Sequence, residues 1–253
     1  VPTYDVILPA GGRVSPELAQ ESGTDVKALI RFGDETILAR TLRVLRESGL
    51  ARRIVVIGGD AAQAEAKAHG AQALPEASTG PENILNGLKW LRSQPDPPKR
   101  VMVVTTDLPF LESAVLQRFV DLCPDDRAIT VPLISRKEWE ARFPGSTAMF
   151  VTLGDGQWTT GCAYLIDAEA LERSMPQIEK VFAQRKSKMG MVKLLGPVFA
   201  VRYLRKTLTV DQIEAKIQSM LGCSGAAVRG APPELAYDID DVEDLAFARK
   251  VAA

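Results

Sequence analysis

Three continuous apolar runs, "YDVIL" (4–8), "RIVVIG" (53–58) and "RVMVVTT" (100–106), are separated by stretches with helical periodicity, and this alternation constrains the fold more than any other feature. A strand that is apolar at every position has no face to give to water, so it needs cover on both sides. Helices between such strands supply the cover and return the chain to begin the next strand in the same direction. The pattern predicts an α/β fold, Rossmann-like, with a mostly parallel sheet flanked by helices. In "ETILARTLRVLRESG", Ile37, Leu38, Leu42 and Leu45 share one helical stripe, and Gly49 is placed to end the helix. "STGPENILNGLKWL" offers Ser78 or Thr79 as an N-cap, and "LESAVLQRFVDLC" supplies a helix after the third strand. "AITVPLI" and "TAMFVTL" read as a more irregular part of the sheet, and residues from about 168 to 222 as consecutive helices, a C-terminal helical insertion. No linker, repeat or low-complexity tract divides the chain, so residues 1–253 are expected to form one domain with the insertion as its subdomain.

Charge and cysteine usage remove several classes of function. A formal net charge of −1 argues against a whole-surface nucleic-acid binder, which is normally strongly basic. Cys123, Cys162 and Cys223 are far apart and have no CxxC spacing, which suggests neither a disulfide framework nor a zinc site and fits a reducing cytoplasm. No apolar run reaches the roughly 18 residues of a spanning helix, so no transmembrane segment is expected. The one histidine, His69, falls at a helix end before Gly70, a poor place for the base of a Ser-His-Asp hydrolase.

Three segments carry the chemistry. "YDVILPAGGR" runs a strand into Gly11 and Gly12, where the backbone can approach a ligand and turn free N–H groups towards phosphates. The loop matches neither G-x-G-x-x-G nor the P-loop pattern. It reads as irregular from Arg13 up to "DVKALI", with Arg13 at its opening and Lys27 at its close. "VMVVTTDLPFL" delivers Asp107 to the carboxyl end of a strand, the edge where ligands bind in open α/β sheets, and Asp107 is a metal candidate. In "AYDIDDVEDLAFARK", strand-like alternation puts Asp238 and Asp240 on one face and Tyr237 and Ile239 on the other, while Asp240 or Asp241 caps the following helix. Carboxylates suit Mg²⁺, which takes one or two of them together with phosphate oxygens.

Taken together, "ILPAGGR…VKALIRFGDETILARTL", "TTDLPFL" and "YDIDDVEDL" resemble the nucleotidyltransferases related to molybdenum-cofactor guanylyltransferase, methylerythritol-phosphate cytidylyltransferase and phospholactate guanylyltransferase. The resemblance covers most of 4–167 and resumes at 235–250. It implies the nucleotide-diphospho-sugar transferase fold and Mg²⁺-dependent transfer of a nucleotide from a triphosphate, GTP or CTP, to a phosphorylated acceptor. Carried over, Ala10, Gly11 and Gly12 hold the triphosphate, Arg13 and Lys27 contact phosphates, and Asp107 binds Mg²⁺. Gly80 and Asn83 fall on the base-contacting segment, Asp238 and Asp240 on a second metal position or the acceptor side, and Thr160 and Gly161 beside the acceptor. A glycosyltransferase would show Asp-x-Asp where Asp107-Leu108-Pro109 stands, and a nucleotide sensor could dispense with Lys27 or Asp107, which are both present.

A last expectation concerns Lys180 to Lys206, where Lys180, Arg185, Lys186, Lys188, Lys193, Arg202, Arg205 and Lys206 occur without an acidic residue. Such a run is usually a solvated face. With Val192, Leu194, Leu195, Val198, Phe199, Val201 and Leu204 interleaved it can also form a basic amphipathic surface, suited to peripheral membrane contact or to a polyanionic or lipid-linked phosphate acceptor, with Lys186 as its contact.

Overall fold

The computed structural model describes residues 2–184, 194 and 196–252. Its first half is built from the apolar runs. β1 (Tyr4–Pro9) leads through a helix, α1 (Pro16–Ser22), and a two-stranded ribbon of β2 (Arg31–Phe32) and β3 (Glu35–Thr36) into α2 (Ile37–Glu47). β4 (Ala51–Gly58), α3 (Asp60–Ala68), β5 (Gln72–Pro75), α4 (Gly80–Arg92) and β6 (Arg100–Val104) follow. Alternate residues of the same strands feed opposite cores. Val6, Leu8 and Val56 pack with α2 and α3, whereas Ile7, Val55, Ile57 and Val103 pack with α4. Thr36 caps α2 by accepting from the Ala39 N–H, and Thr79 forms a capping box with Glu82 at α4.

The second half comprises α5 (Ser113–Leu122), β7 (Ile129–Ser135), α6 (Arg136–Arg142), β8 (Val151–Leu153), β9 (Gly156–Thr160), β10 (Ala163–Asp167), α7 (Ala168–Gln184), α8 (Pro197–Leu204), α9 (Val210–Leu221), β11 (Gly225–Arg229) and α10 (Val242–Ala252). The nine-stranded sheet runs β5-β4-β1-β6-β10-β7-β9-β8, with β11 also on β7. The pairings make seven of the nine strands point one way, with only β9 and β10 opposed. The sheet is thus mostly parallel, as the apolar runs imply, and agrees with the nucleotide-diphospho-sugar transferase fold that the resemblance implies.

Both β9 and β10 pair with β7, through Leu133 with Thr160 and Thr130 with Leu165. Two extra residues lie on the β9–β10 side, so 156–167 is one bent strand interrupted near Gly161 and Cys162. A Cβ on Gly161 would lie 2.9 Å from Pro132 Cβ and 3.0 Å from Leu235, so only glycine fits that interruption.

Two expectations are corrected. The segment after Arg13 is not irregular throughout, because Ser15 caps α1, Pro16 begins it and Gly23 (φ 75°) ends it. The alternation at 237–240 is real in burial but belongs to extended chain outside any strand: Tyr237 and Ile239 are buried in the core, while Asp238 is half-buried and Asp240 exposed. Tyr237 stacks on Trp139 at 5.5 Å and meets Phe110 and Phe143, which fixes that segment without a ladder.

Candidate active site

β1 and β6 are adjacent and parallel, so the loops that leave their carboxyl ends are neighbours. The Thr106 hydroxyl donates to the Pro9 carbonyl at 3.0 Å and ties the two loops together. The first loop folds back on itself: Val14 N–H donates to Asp25, and Lys27 N–H to Gly12 at 2.9 Å. This closure lays the Lys27 side chain along Gly12, where a Cβ would stand 3.5 Å from Lys27 Cδ. The N–H groups of Gly11 and Gly12 have no acceptor among the described residues, leaving two donors beside a buried ammonium, an arrangement suited to an anion.

Lys27 Nζ lies 3.5 Å from Asp107 Oδ2 and pairs with Asp240 Oδ1. Ile239 N–H donates to the Asp107 carbonyl at 3.2 Å, and this backbone bond brings the 237–241 segment to the strand-end aspartate. Thr105 Oγ1 donates to Asp107 Oδ1 at 2.6 Å and orients its carboxylate. Lys27 and Asp107 are each 16% exposed, Asp240 67%. Burial by itself would lower the Lys27 pKa, but the charge of Asp107 and the hydrogen bond and charge of Asp240, with Asp238 beyond, hold it above its ordinary value. Asp238 is pushed up to about 7, first by burial and then by the Asp107 and Asp240 carboxylates, against the pull of Lys27. Three carboxylates therefore share one ammonium. Among the described residues no three His, Cys, Asp or Glu stand close enough to cage a metal unaided. The donor set does fit Mg²⁺ completed by phosphate oxygens, because its ligands are hard carboxylates and its charge is in negative excess.

The remaining candidates have different surroundings. Ala10 is buried at the end of β1, its N–H donating to Ile57. Arg13 donates to the Gly11 carbonyl and, at 2.8 Å, to Glu76, whose carboxylate lies against Gly11 where a Cβ would meet it. Glu76 is the site residue that sequence reading missed; it follows β5 with no motif to mark it. Asn83 is only 4% exposed, and its Oδ1 accepts from Ala77 N–H at 2.6 Å, so it holds the loop after β5. Gly80 begins α4 against the ring of Phe182, 3.2 Å from where its Cβ would be. Thr160 lines a cleft that Asp238 and Asp240 also line, whereas Gly161 is packed between Pro132 and Leu235. Cys162 is near Asp107 and Asp238, and burial pushes its thiol well above the ordinary range, so it is a poor nucleophile. Asp241 accepts from Asp244 N–H at 2.9 Å, and the Asp244 carboxylate accepts from the N–H of Asp240 and Asp241, a reciprocal cap on α10. Lys186, with Arg185, Lys188, Val192, Lys193 and Leu195, lies outside the described residues. Among the described residues no helix is long and apolar enough to cross a membrane.

The MobA-like NTP transferase domain matches residues 6–220 of the sequence. The chain belongs to the MobA-like NTP transferase family. Among solved structures, a hypothetical transferase from Thermus thermophilus is 26% identical and superimposes with a TM-score of 0.82 over 96% of this chain and 99% of its own. The 2-C-methyl-D-erythritol 4-phosphate cytidylyltransferase of Thermus thermophilus shares 17% identity and a TM-score of 0.55, covering 99% of this chain and 98% of its own. A CMP:2-keto-3-deoxy-manno-octonic acid synthetase complexed with CTP shares 10% identity and a TM-score of 0.58, again over 99% and 98%. These last two establish the fold alone. A comparison with curated proteins gave no match. As a member of the MobA-like family the chain is a nucleotidyltransferase; Lys27 and Asp107 lie within the matched residues, and Asp238 and Asp240, which converge on them, follow the matched stretch.

Proposed function

We propose that this nucleotidyltransferase transfers a nucleoside monophosphate from GTP or CTP to a phosphorylated small molecule in a Mg²⁺-dependent reaction. The observation that carries the reading is the convergence of Lys27, Asp107, Asp238 and Asp240 beside the N–H groups of Gly11 and Gly12, which have no acceptor among the described residues. An acceptor phosphate oxygen attacks the α-phosphorus; the new P–O bond forms as the bond to the bridging oxygen breaks, and pyrophosphate leaves with the electron pair. Negative charge spreads over the phosphoryl oxygens, so stabilising cations do most of the work. Lys27 supplies a fixed cation, its raised pKa keeping it charged at neutral pH. The Gly11 and Gly12 N–H groups and Arg13 orient the triphosphate, with Arg13 leaving Glu76 to do so. Mg²⁺, when bound, adds positive charge at the same oxygens, and Asp107 with Asp238 or Asp240 would hold it. A phosphate acceptor is already an anion, so no general base is required.

The likeness to a cytidylyltransferase and a CTP-bound synthetase puts CTP first among the triphosphates to test. The test is a screen of the four common triphosphates with Mg²⁺ against phosphorylated metabolites, read by pyrophosphate release. Release that requires triphosphate, Mg²⁺ and acceptor together, and is lost in Lys27→Ala, supports the reading. Triphosphate binding with no release against any acceptor would favour a nucleotide sensor, and turnover of nucleotide sugars instead would favour a glycosyltransferase.

A further inference from the structure

The cleft beside the aspartates has a lining that a sugar phosphate does not call for. It has a volume of about 920 Å³ and runs along β7, from Ile129, paired with Gly225 near one end, to Leu133, paired with Thr160 near the other. That places it near the top of the range for small-molecule sites, about 300–1,000 Å³. Ile129, Val131 and Leu133 alternate onto one face of β7, and Val210, Ile213, Ile217 and Leu221 recur along α9 opposite them. Side chains must fill the interval between a helix and the sheet it covers. Here β11 contributes Gly225 and Ala227, which fill almost none of it, and Ile217 remains 42% exposed.

Charge narrows the occupant. Glu214, Asp238, Asp240, Asp241 and Asp244 line the cleft, and no Lys, Arg or His does among the described residues. Four of these acids belong to 238–244, where Lys27 pairs with Asp240, and among the described α9 residues that line the cleft a polyanion would meet Glu214 and no cation. A molecule with a single anionic end and an apolar body meets no such penalty: the anion faces Lys27, and the body displaces water from apolar walls.

We propose, resting on the nucleotidyl-transfer reading above, that the acceptor is a monophosphate ester of an apolar alcohol, its hydrocarbon or aromatic body lying between β7, β11 and α9. Continuity with the candidate active site argues for this occupant, because Asp238 and Asp240 belong to both. Of the two acceptor classes that the basic run suggests, the cleft selects the lipid-like one over the polyanionic one.

The probes are octyl phosphate below its micellar concentration and glucose 1-phosphate as the polar control. Binding is read by the fluorescence of Trp139 and Trp158, which both line the cleft, with CTP or GTP binding measured separately by calorimetry. Octyl phosphate should bind at least about tenfold more tightly than glucose 1-phosphate, and Ala227→Phe should weaken it about tenfold with triphosphate affinity unchanged. Ile217→Asp, at an exposed helix position, should have the same effect and serves if Ala227→Phe does not fold. Equal or tighter binding of glucose 1-phosphate, or normal octyl phosphate affinity in a folded variant, overturns the proposal. If wild-type protein binds triphosphate but not octyl phosphate, this inference falls and the nucleotidyl-transfer reading stands. If it binds octyl phosphate but no triphosphate, that reading falls while the cleft keeps its apolar ligand.

Discussion

The two halves of the sheet use small residues in opposite ways. In the β5-β4-β1-β6 half the strands are buried on both faces and the core is filled by large residues such as Ile7, Leu8, Val56 and Leu42. The glycines of this half that serve the site are in a loop: Gly11 and Gly12 free their N–H groups, and Gly12 lets Lys27 lie alongside. In the β7-β11 half the small residues are in the sheet itself, at Gly225 and Ala227, and among the described residues the core cluster beneath α9 has only Leu133, Leu153, Leu208 and Val210 buried. The first arrangement gives a rigid floor with polar groups at its rim, suited to holding charge. The second gives a partly filled slot whose shape a ligand can complete.

The sharpest way to break this comparison is at the rim. Lys27→Ala should lower turnover by about three orders of magnitude and weaken triphosphate binding, as losing a preorganised cation at a phosphoryl-transfer site does. Glu17→Ala, on α1 in the same loop, should leave both within a few fold. Steady-state kinetics and calorimetry check this, and equal losses from both would mean that the loop acts through its shape. Asp107→Ala should lose comparable turnover with the fold intact, since its carboxylate is at a strand end. Asp238→Ala should cost more activity than Asp241→Ala, whose carboxylate is committed to capping α10. The cap itself is worth about 1 kcal/mol, to be read in unfolding and not in kinetics.

The floor depends on a different group. Asp5 is fully buried at the start of β1 and receives hydrogen bonds from both Arg52 and Arg53 on β4, at 2.5–3.0 Å. Burial alone would raise its pKa, but the two guanidiniums hold it below the usual carboxylate value. The depressed folded-state value means that the stabilisation is present above 3.8, the ordinary value, and lost as pH falls through the folded pKa. Asp5→Ala should therefore cost about 3 kcal/mol at neutral pH, with the deficit shrinking in acid. Urea unfolding across that range measures it. A deficit that does not change with pH would assign the effect to packing.

The sequence made the first half legible because its strands are large and apolar along their length, and because Lys27, Asp107, Asp238 and Asp240 are each at the edge of a readable element. The second half was less so for the same physical reason that gives it a cleft. β11 reads "GAAVR", with one large apolar residue, Val228, so it carries no strand signal, yet its smallness is what leaves the slot open. α1 was hidden differently: its signals, Ser15, Pro16 and Gly23, are all caps, and with Leu18 its one buried residue it has no apolar stripe to give a period. Asn83, placed by the resemblance on the base-contacting segment, also holds Ala77 N–H six residues back through its buried amide oxygen, a local role that no sequence motif marks. Glu76 has no local signal because its importance comes from Gly11 and Arg13, more than sixty residues away.

Glu76 gives the smallest expected effect and the finest test of the rim. Its pair with Arg13 is half exposed on the arginine side, so breaking it should change stability by less than about 1 kcal/mol. The pair nonetheless opposes binding: a triphosphate must take Arg13 from a carboxylate, and that carboxylate lies against Gly11, next to the N–H groups meant for phosphate. Glu76→Gln keeps the shape and removes the competing charge. The Michaelis constant for the triphosphate should fall a few fold with the turnover number unchanged, because Arg13 is released before binding and not in the transition state. Arg13→Ala should raise the same constant, and in the double variant the Glu76→Gln gain should vanish, since there is no arginine left to free. If Glu76→Gln lowers the constant equally in the Arg13→Ala background, the carboxylate acts on the phosphates by direct repulsion, and Arg13 is not its intermediary.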